Sequence, residues 1–522
     1  MKIILIQFRF NKPEKGYNPN DSEPTLQYMF PLGLPYISSV LKQYGYDVTC
    51  LNLNHGNGTT EYLVNKEMFL KGYDLAFVGG LSLFYPHIRD LIHTIRIASP
   101  KTKIVCGGGI ITAQPELMMD LLKPDYGIVG EGEESVLKAV AFPEERLITS
   151  EPITNPDKLP FPDYNSFNFS EYVDNVKMTD YFAFDVVDNP RVYPLLASRS
   201  CPYNCTFCFH PLGQKYRQRS IDNIMEELKQ NVPKYNINIV TIYDEMFSND
   251  FERMKEFCGK FKAFSDTLPH KLWFVCNIRV DKVTDEMLKL MKQSGACTVS
   301  YGLESYSQTV LDSMKKHIIP EQIHNAALLT RKNSLGFQGN FIFGDPAETL
   351  ETAKETLEYV QTNRNILGTA VALDFVVPFQ GSQLYKRCVI EGTIPNELKL
   401  IKDREITGYP KFPTNMTHLS DSDFEKLQDM VFEERMNTPY TIPSKALFAD
   451  FSMDYTTCPS CGKIVEIPEV SIPAFRPLNV GCRNCHYRFD VVKPYYPIIQ
   501  AILKRIRRKN TRRLIDLKAR LT

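Results

Sequence analysis

Three cysteines within eight residues, Cys201, Cys205 and Cys208, form a compact group of potential metal ligands. Thiolates at this C-x3-C-x2-C spacing on one loop can bind three irons of a [4Fe–4S] cluster and leave the fourth iron open, whereas a structural iron–sulfur centre normally takes four cysteines. An open iron can bind a further molecule through nitrogen and oxygen atoms. The alternative is a structural zinc site that takes its fourth ligand from a distant part of the chain.

A second group of cysteines lies near the end of the sequence, as two C-x2-C pairs separated by 20 residues. Four thiolates at this spacing are typical of a zinc ribbon and close a tetrahedral site. The alternative is a rubredoxin-like iron that relays electrons, because the same four-sulfur geometry suits either metal. His486 follows the last of these cysteines and is interpreted as a neighbour rather than a ligand. The predicted ligands are Cys458, Cys461, Cys482 and Cys485.

Glycines follow several apolar runs in the first 150 residues, in the segments VGG, VCGGG and VGEGEES. Glycine at such turns lets the backbone approach a ligand closely. The alternative is a set of tight turns that any parallel α/β sheet needs. Both interpretations place these turns at one edge of a sheet, because the carboxyl ends of parallel strands meet there.

Two series of alternating strands and helices must position these groups. Short apolar runs alternate with helical segments over residues 1–150 and again over 191–400, which predicts an α/β chain with two parallel sheets. Six strand–helix units in the second series suit a partial (β/α)6 barrel rather than the usual eight-unit barrel. The predicted divisions are 1–150, a linker at 151–190, the barrel at 191–400, a helical segment at 401–450, the four-cysteine module at 451–492 and a basic tail at 493–522.

The composition excludes several classes of protein. Hydrophobic residues make up 43% and charged residues 23%, which is typical of a globular protein rather than a disordered one. Lys plus Arg (61) equals Asp plus Glu (61), so the overall charge gives no reason to expect nucleic acid as a partner. No apolar run is long enough to span a bilayer, and no cleavable signal follows the first strand. These features and the thirteen cysteines predict a cytoplasmic metalloprotein.

The three-cysteine segment resembles the hallmark of the radical S-adenosylmethionine (radical SAM) superfamily, C-x3-C-x-φ-C with an aromatic residue at φ. Phe207 occupies that position, and the resemblance covers roughly residues 191–400. The segment GDPAE at 344–348 is similar to a family Gly-x-Pro-Gly-Glu pattern, with Ala347 in place of the second glycine. The segment PFQGS at 378–382 departs from the Pro-Gly-Thr usual near the sixth strand. Both departures concern the contacts with the adenine of SAM.

The resemblance also implies which residues bind SAM. The family places residues that hold the methionine amino group after the second strand, where Asp244 and Glu245 stand, and two carboxylates suit an ammonium group. Glu304 lies in the segment GLES, which resembles a family Gly-Ile-Glu-Ser motif whose Glu contacts SAM. Asn277 and Arg279 end the third strand, as a polar pair common there. The alternative is that Asp244 or Glu304 is an ordinary polar residue at a strand end.

The first 150 residues resemble the cobalamin-binding domain fused to many radical SAM enzymes, a Rossmann-like domain that holds the corrin between its strand ends and the barrel. No histidine stands in the Asp-x-His-x-x-Gly context that would supply a ligand to cobalt. His55 comes nearest and is interpreted as a loop residue. The residues implied to contact cobalamin are Gly80, Ser82, Gly108, Gly109, Glu131 and Gly132.

These resemblances imply an oxygen-sensitive enzyme that cleaves SAM reductively and uses the 5′-deoxyadenosyl radical to abstract hydrogen from an unactivated carbon. The expected reaction is cobalamin-dependent methyl transfer to that carbon. The alternatives are a cyclisation, rearrangement or oxidation without methyl transfer, and a metal-binding interaction module. The expected partners are a small-molecule or lipid-like substrate and an external electron donor such as flavodoxin or ferredoxin.

The tail from residue 493 to residue 522 carries ten basic residues and one acid, Asp516. A helix here would place Ile499, Ile502, Leu503 and Ile506 on one face and basic residues on the other. Such a helix could lie on an anionic membrane, bind RNA or dock on the acidic remainder of the chain.

Overall fold

The computed structural model describes most of the chain. The described residues are 1–10, 30–56, 58–177, 183–247, 250–401, 414–442, 444–445, 453–468, 472, 477–502 and 505.

The N-terminal domain is a six-stranded parallel sheet in the order β2-β1-β3-β4-β5-β6. Its strands are β1 (Lys2–Gln7), β2 (Asp47–Asn52), β3 (Leu75–Gly79), β4 (Lys103–Gly107), β5 (Tyr126–Val129) and β6 (Leu147–Thr149). Its helices are α1 (Gly33–Gln43), α2 (Thr60–Lys71), α3 (Tyr85–Ala98), α4 (Gly109–Ala113), α5 (Pro115–Leu122) and α6 (Gly132–Ala139). The strand order reverses beside β1, as in Rossmann-like folds, so the predicted fold class is confirmed.

Both faces of this sheet are buried, because successive residues of a strand point to opposite sides. Ile4 and Ile6 of β1 face a core closed by α2, α3 and α5. Ile3 and Leu5 face a second core that continues into the barrel. The apolar run at the start of the chain therefore stabilises both layers, which is why it lacks the alternation of a half-exposed strand.

The segment between the two sheets is packed rather than extended. It contains helix α7 (Phe169–Asn175), and Phe167 and Phe169 are fully buried in the core shared by both sheets. Tyr164 is also buried there, and its hydroxyl donates to the carbonyl of Pro194 at 3.0 Å. The Pro, Asp and Asn content of 151–190 predicts a simple connection, but its aromatic residues make it part of the core.

The second sheet is also six-stranded and parallel, in the order β14-β13-β12-β11-β10-β7, and forms a partial barrel. The strands of this region are β7 (Val192–Leu195), β8 (Ser198–Arg199), β9 (Arg217–Gln218), β10 (Ile239–Ile242), β11 (Trp273–Ile278), β12 (Ala296–Glu304), β13 (Gly336–Phe343) and β14 (Val371–Phe375). The short strands β8 and β9 pair with each other outside the barrel. The prediction of a partial barrel is confirmed.

Helices cover the outside of the barrel and follow local sequence signals. In α10, for example, Thr284 caps the first turn by accepting a hydrogen bond from the amide of Met287, and Gly295 ends the helix at φ +110°. The helices are α8 (Ile221–Tyr235), α9 (Phe251–Ser265), α10 (Asp285–Ser294), α11 (Gln308–Ser313), α12 (Pro320–Lys332), α13 (Leu350–Thr362), α14 (Arg364–Leu367), α15 (Gln383–Ile390) and α16 (Asp421–Met436).

Small strands form the C-terminal module around its own apolar core. They are β15 (Tyr440–Thr441), β16 (Ser444–Lys445), β17 (Met453–Thr457), β18 (Ile464–Pro468), β19 (Leu478–Gly481) and β20 (Arg488–Val491). Most of the predicted amphipathic tail, including Leu503 and Ile506, lies outside the described residues. No helix in the described part of the chain is both long and apolar enough to cross a membrane.

Candidate functional site

The three cysteines lie on one loop, residues 200–216, which leaves the barrel between β8 and β9. The ladder at its base pairs Ser198 with Gln218 and Arg199 with Arg217. We call this segment the cluster loop. Thr206 ties its middle to two other elements, because its amide donates to the carbonyl of Met314 at 3.0 Å and its carbonyl accepts from the amide of Leu384 at 2.8 Å.

One thiol of the cluster loop, that of Cys205, is favoured as a thiolate, whereas burial raises the pKa of Cys201 and the hydrogen bond with Cys205 raises that of Cys208. Cys205 is buried, and Cys201 and Cys208 are half-buried. A hydrogen bond with Cys208 lowers the pKa of Cys205 to about 6, and the nearby charge of Lys316 acts in the same direction. Among the described residues, only Cys458, Cys461, Cys482 and Cys485 bring three or more ligand atoms within 4.8 Å of one another. The cluster-loop thiols therefore do not converge on a single ion, which fits a multi-iron cluster better than a structural zinc.

The two carboxylates after β10 have different surroundings. Asp244 is buried and accepts hydrogen bonds from the amide of Ala197 and the hydroxyl of Ser198, both at 2.7 Å. Burial raises the pKa of Asp244 to about 7. Glu245 is partly exposed, and its Oε2 lies 2.8 Å from Nδ1 of His210 on the cluster loop. The sequence predicts both carboxylates as SAM ligands, but the Asp244 carboxylate already holds the strand that leads into the cluster loop.

Glu304 forms a buried ion pair with Lys316, with Oε1 and Nζ 2.7 Å apart. Its backbone has φ +63°, which is rare for a residue with a side chain. A Cβ atom on Gly302 would lie 2.5 Å from Oε1 of Glu304 and 2.7 Å from Nζ of Lys316, so a larger residue here would displace the charged ends of this pair. Burial opposes the charge of Lys316, but Glu304 and Cys205 together raise the pKa of its ammonium group.

The polar pair at the end of β11 supports its neighbours. The side-chain amide of Asn277 donates to the carbonyl of Asp244 at 3.1 Å. The guanidinium of Arg279 lies 3.6 Å from the ring centroid of Tyr203 on the cluster loop, and it donates to the carbonyl of Lys316 at 2.8 Å. Asn277 thus joins the ends of β10 and β11, and Arg279 joins the end of β11 to the cluster loop.

Three buried polar atoms near the cluster loop have no hydrogen-bond partner among the described residues: Oγ1 of Thr206, Nε2 of His210 and Oε1 of Gln380. Buried polar groups are normally paired, so unpaired ones at a strand-end site fit a cofactor or substrate with polar groups of its own. His210 and Lys316 are residues that sequence reasoning missed. The position of His210, two residues after Cys208, is a usable signal, whereas only the fold brings Lys316 to Glu304.

The glycine-rich edge of the N-terminal sheet faces the cluster loop. A Cβ on Gly108, which has φ +83°, would lie 3.0 Å from the carbonyl oxygen of Gly80, so the turns after β3 and β4 pack directly together. A Cβ on Gly109 would lie 3.4 Å from the ring of Phe209, the residue after Cys208. The other side of that ring meets Gly381, where a Cβ would come within 2.5 Å. The carboxyl edges of both sheets therefore meet at Phe209.

The other residues predicted to contact cobalamin lie along the same edge. Ser82 is buried in the turn after β3. Gly132 starts α6, and a Cβ there would lie 2.8 Å from Ile37. The carboxylate of Glu131 is buried and paired with Arg199 and Arg217 of the barrel domain, so its visible contacts are between domains. His55 lies in the loop after β2, 3.1 Å from Glu171.

The four C-terminal cysteines form a closed group. The sulfurs of Cys458 and Cys485 are 3.7 Å apart, and those of Cys461 and Cys482 are 3.6 Å apart. Four sulfurs each about 2.3 Å from a central zinc would lie about 3.8 Å from one another. The spacing therefore fits one tetrahedral metal ion, and the four thiols are the ligands that the sequence predicts.

This group lies at the opposite end of the barrel from the cluster loop. Trp273, the first residue of β11, packs its ring against His486 with centroids 5.5 Å apart. Arg483 pairs with Asp188, which precedes β7, at 2.6 Å. Asn277 lies near the other end of β11, about 13 Å along the strand from Trp273 at 3.3 Å per residue. The four-cysteine module thus covers the amino end of the barrel.

The comparisons with known proteins agree with both halves of this arrangement. The model of the radical SAM superfamily matches residues 195–360, and that of the B12 binding domain matches residues 25–140. Together they span just over half of the chain.

Two relatives and one solved structure are similar over most of their length. The chain is 27% identical over 454 residues to cytidylyl-2-hydroxyethylphosphonate methyltransferase of Streptomyces wedmorensis, covering 72% of this chain and 80% of the relative. It is 26% identical over 386 residues to an uncharacterised methyltransferase of Pyrococcus horikoshii, covering 69% and 78%. The fold matches the radical SAM methyltransferase TsrM of Kitasatospora setae, solved with cobalamin and a [4Fe–4S] cluster bound, with a TM-score of 0.57, 16% identity and coverage of 74% and 76%.

The two matched domains coincide with the two sheets whose carboxyl edges meet at Phe209. The chain therefore belongs to the radical SAM enzymes that carry a cobalamin-binding domain.

Proposed function

We propose that this enzyme transfers a methyl group to an unactivated carbon of a small-molecule substrate, with cobalamin held opposite the cluster loop. The observation that carries the proposal is the position of Phe209, which follows Cys208 directly and packs against Gly109 of the cobalamin-binding domain. A corrin at the glycine-rich edge would therefore lie beside the loop that holds the cluster. Methyl transfer is also the activity named for the relatives described above.

Each group has a set of candidate contacts in this chain. The three cysteines of the cluster loop would hold the [4Fe–4S] cluster, and the residues after β10, β11 and β12 would contact SAM. Of these, Glu245 is the most accessible carboxylate for the SAM amino group, since Asp244 is already bonded. When bound, the cluster and SAM supply a 5′-deoxyadenosyl radical that abstracts hydrogen, and methylated cobalamin supplies the methyl group. The candidate cobalamin contacts are Gly80, Ser82, Gly108, Gly109 and Gly132, together with the backbone of Glu131, whose carboxylate is already paired with Arg199 and Arg217.

The residues of the chain contribute charge, orientation and exclusion of water. The pair of Glu304 with Lys316 places a fixed carboxylate and a fixed ammonium beside the cluster loop. Glu245 orients His210 through Nδ1, which leaves the buried Nε2 available to a bound polar group. Arg279 and Tyr203 stack across the loop and hold its shape. Preorganised groups of this kind stabilise a reactive arrangement without a cost of reorganisation.

The partners follow from this chemistry. Reductive cleavage of SAM needs an external electron donor, and we propose a flavodoxin or ferredoxin. The balanced overall charge gives no reason to expect nucleic acid, and RNA is left only as an alternative partner for the basic tail. A peripheral contact with an anionic membrane through residues 498–522 stays a prediction, because most of these residues lie outside the described part of the chain.

Titration of hydroxocobalamin into anaerobically reconstituted protein tests the proposal. We expect the cobalt absorption bands to saturate near one equivalent. Gly109→Val should weaken binding, since its side chain would enter the space shared with Leu81 and Phe209. Gly259→Ala is the matched control, because nothing lies within 4 Å of a Cβ there. Absence of binding to the wild-type protein would overturn the role of cobalamin.

A reaction without methyl transfer is the second candidate, and product analysis separates the two. Methyl transfer regenerates the donor from SAM and so forms S-adenosylhomocysteine together with 5′-deoxyadenosine. A cyclisation, rearrangement or oxidation forms 5′-deoxyadenosine alone. Cobalamin-bound protein reduced in the presence of SAM should form S-adenosylhomocysteine on the first turnover, even before the substrate is known. Its absence would favour the second candidate.

For the C-terminal module we propose a structural zinc ion rather than an electron-carrying iron. The four sulfurs form a closed set, and closed sets of four cysteines stabilise a fold more often than they take part in a reaction. Metal analysis of protein grown with both metals tests this proposal directly. About one zinc per chain, in addition to the cluster irons, is the expected result, and a rubredoxin-like absorption spectrum would contradict it.

A further inference from the structure

Two arginines face each other at the base of the cluster loop. Arg199 in β8 and Arg217 in β9 are direct partners in the short antiparallel ladder that opens and closes the loop. Both side chains extend to the same carboxylate of the other domain. Nη1 of Arg199 lies 3.0 Å from Oε1 of Glu131, and Nη1 of Arg217 lies 2.8 Å from its Oε2. The base of the loop is thus bonded to the cobalamin-binding domain.

Arg217 uses every donor that its side chain has. An arginine carries five N–H donors in a planar fork. Nη1 donates to Glu131 and to the carbonyl of Ile153 at 2.8 Å. Nη2 donates to the hydroxyl of Ser200 at 3.2 Å and to the carbonyl of Leu212 at 3.0 Å, and Nε donates to the carbonyl of Lys215. One buried side chain therefore fixes both ends of the cluster loop and the neighbouring domain.

The start of the loop needs this support. Ser200, the residue before Cys201, has φ +65°, a conformation that is strained for a residue other than glycine. Its hydroxyl accepts from Arg217 and donates to the carbonyl of Leu212 at 3.1 Å. These bonds hold the backbone in the conformation from which Cys201 begins.

On the cobalamin-binding domain, both carboxylate oxygens of Glu131 are likewise used in contacts. It precedes α6 and lies just beyond the end of β5, at the glycine-rich edge of the N-terminal sheet. Its Oε2 also accepts from the amide of Ile153 at 2.5 Å. The side chains of Glu131 and Arg217 are each about 3% exposed, so the pair is isolated from water.

A second set of contacts links the same two domains. Arg199 also pairs with Glu133, one residue into α6, and its guanidinium lies 5.5 Å from the ring centroid of Tyr36 in α1. We call Glu131, Glu133, Arg199 and Arg217 the domain clamp. Burying three such ion pairs is costly, and apolar packing would often be at least as stable, so the clamp is better explained by the geometry that it fixes.

We propose that Arg217 and Glu131 are positioning residues that set the distance and angle between the cluster loop and the glycine-rich edge of the cobalamin-binding domain. The proposal rests on the proposed function only in assigning cobalamin to that edge. Neither residue contacts the reacting atoms in this assignment. They act through the loop on one side and through the turn after β5 on the other.

Hydrogen exchange of the full-length, iron-reconstituted protein tests the clamp. Arg217→Lys retains the charge but cannot supply the planar fork, and Glu131→Gln retains the shape but loses the charge. Each variant should accelerate amide exchange at least tenfold in both segments 198–218 and 130–153. Arg364→Lys is the matched control, since it weakens a buried pair with Glu434 (2.8 Å) that involves neither segment. Acceleration in only one segment, or equal acceleration in the control, would overturn the proposal.

A spectroscopic measurement addresses position rather than stability. Bound hydroxocobalamin can be reduced to its paramagnetic cobalt(II) form. The electron spin of the cobalt should relax faster when the cluster is also reduced, by an amount that depends on the distance between the cobalt and the cluster. Arg217→Lys should reduce or broaden that enhancement while iron content and cobalamin stoichiometry stay unchanged. An enhancement identical to the wild type would contradict the proposed role. If the wild type bound no cobalamin, the proposed function would fail, and hydrogen exchange would still decide on the clamp.

Discussion

The two cysteine centres lie at opposite ends of the same barrel and differ in almost every property except their ligand atom. The cluster loop offers three thiols, at the carboxyl ends of the strands, that do not converge within 4.8 Å. The C-terminal module offers four thiols within that distance, at the amino ends. βα barrels build their active sites at the carboxyl ends, whereas their amino ends serve stability. The position of each centre thus agrees with the chemistry that its ligand number indicates.

The charged residues around the two centres differ as well. Near the cluster loop, burial raises the pKa of Asp244 and also that of Glu348, each to about 7, and three polar atoms lack partners among the described residues. Near the four cysteines, buried cations collect instead. Burial lowers the pKa of Lys292 to about 8, and Arg331 donates to the carbonyl of Cys485 at 3.3 Å. Nε of Arg331 also lacks a partner among the described residues, so the two ends differ in the charge of their buried groups rather than in whether these are paired. Cations at one end would balance four thiolates on a divalent ion, whereas the cluster end offers carboxylates to a ligand.

The largest expected effect separates the two centres completely. Cys205→Ser should abolish reductive cleavage of SAM, since a cluster with two remaining ligands is not retained, while the zinc content stays near one per chain. Metal analysis and chromatography of 5′-deoxyadenosine after reduction measure both quantities. Cys50→Ser, at a half-buried cysteine near neither centre, should change neither. Continued formation of 5′-deoxyadenosine by the Cys205 variant would refute the assignment of the cluster loop.

The reciprocal change at the other end should affect stability alone. Cys461→Ser removes the most accessible of the four thiols and should lower the free energy of unfolding by on the order of 4 kcal/mol, because structural zinc contributes directly to folding. SAM cleavage per cluster should stay within about twofold of the wild type. Ser460→Ala, an exposed neighbour, is the control for local disturbance. A loss of SAM cleavage in proportion to the zinc lost would instead support an electron-carrying role.

Much of this comparison was accessible from the sequence, because cysteine spacing and hydrophobic runs are local signals. The spacing around Cys205 predicted an open cluster, and alternating apolar runs predicted two parallel sheets. The closed set at Cys458 followed from spacing in the same way. These features depend on residues that are close in the chain, so folding does not change their meaning.

Contacts between distant segments were not accessible. Nothing near Lys316 indicates that it pairs with Glu304, and nothing near Arg217 indicates that it reaches Glu131. The two carboxylates after β10 were predicted to bind SAM together. In the structure the buried Asp244 accepts a hydrogen bond from Ser198, and Glu245 pairs with His210. The packed core of the segment 151–190 was missed for a related reason. Its proline and polar residues predict a simple connection, and the burial of its aromatic residues depends on contacts with both sheets.

A smaller effect is expected at the ion pair beside the cluster loop. Glu304→Gln leaves Lys316 buried without its counter-charge and removes a fixed carboxylate from the predicted SAM contacts. The dissociation constant for SAM should rise about 10- to 100-fold, as expected for loss of one hydrogen bond to a charged group. Equilibrium dialysis under anaerobic conditions measures it. Glu227→Gln in α8 breaks the buried pair of Glu227 with Arg219 and should destabilise the protein without changing SAM affinity.

An effect of similar size concerns the pH dependence of stability at the cluster end. The pKa of Asp244 is about 7 in the folded protein, against about 3.9 in an unfolded chain, so the folded state holds an extra proton between these values. Stability should therefore fall as the pH rises from about 4 to about 7 and stay level above that range.

Asp244→Asn removes this titration, and the Ser198 hydroxyl can turn to accept from the new amide. Urea unfolding at pH 5, 6 and 7.5 should show the wild type losing roughly 2 to 3 kcal/mol relative to the variant between the lowest and the highest pH. Other groups with raised pKa values, such as Glu348, are present in both proteins and cancel in the difference. A constant difference across this range would mean that Asp244 stays ionised, and that the cluster end tolerates a buried charge that the C-terminal end balances with cations.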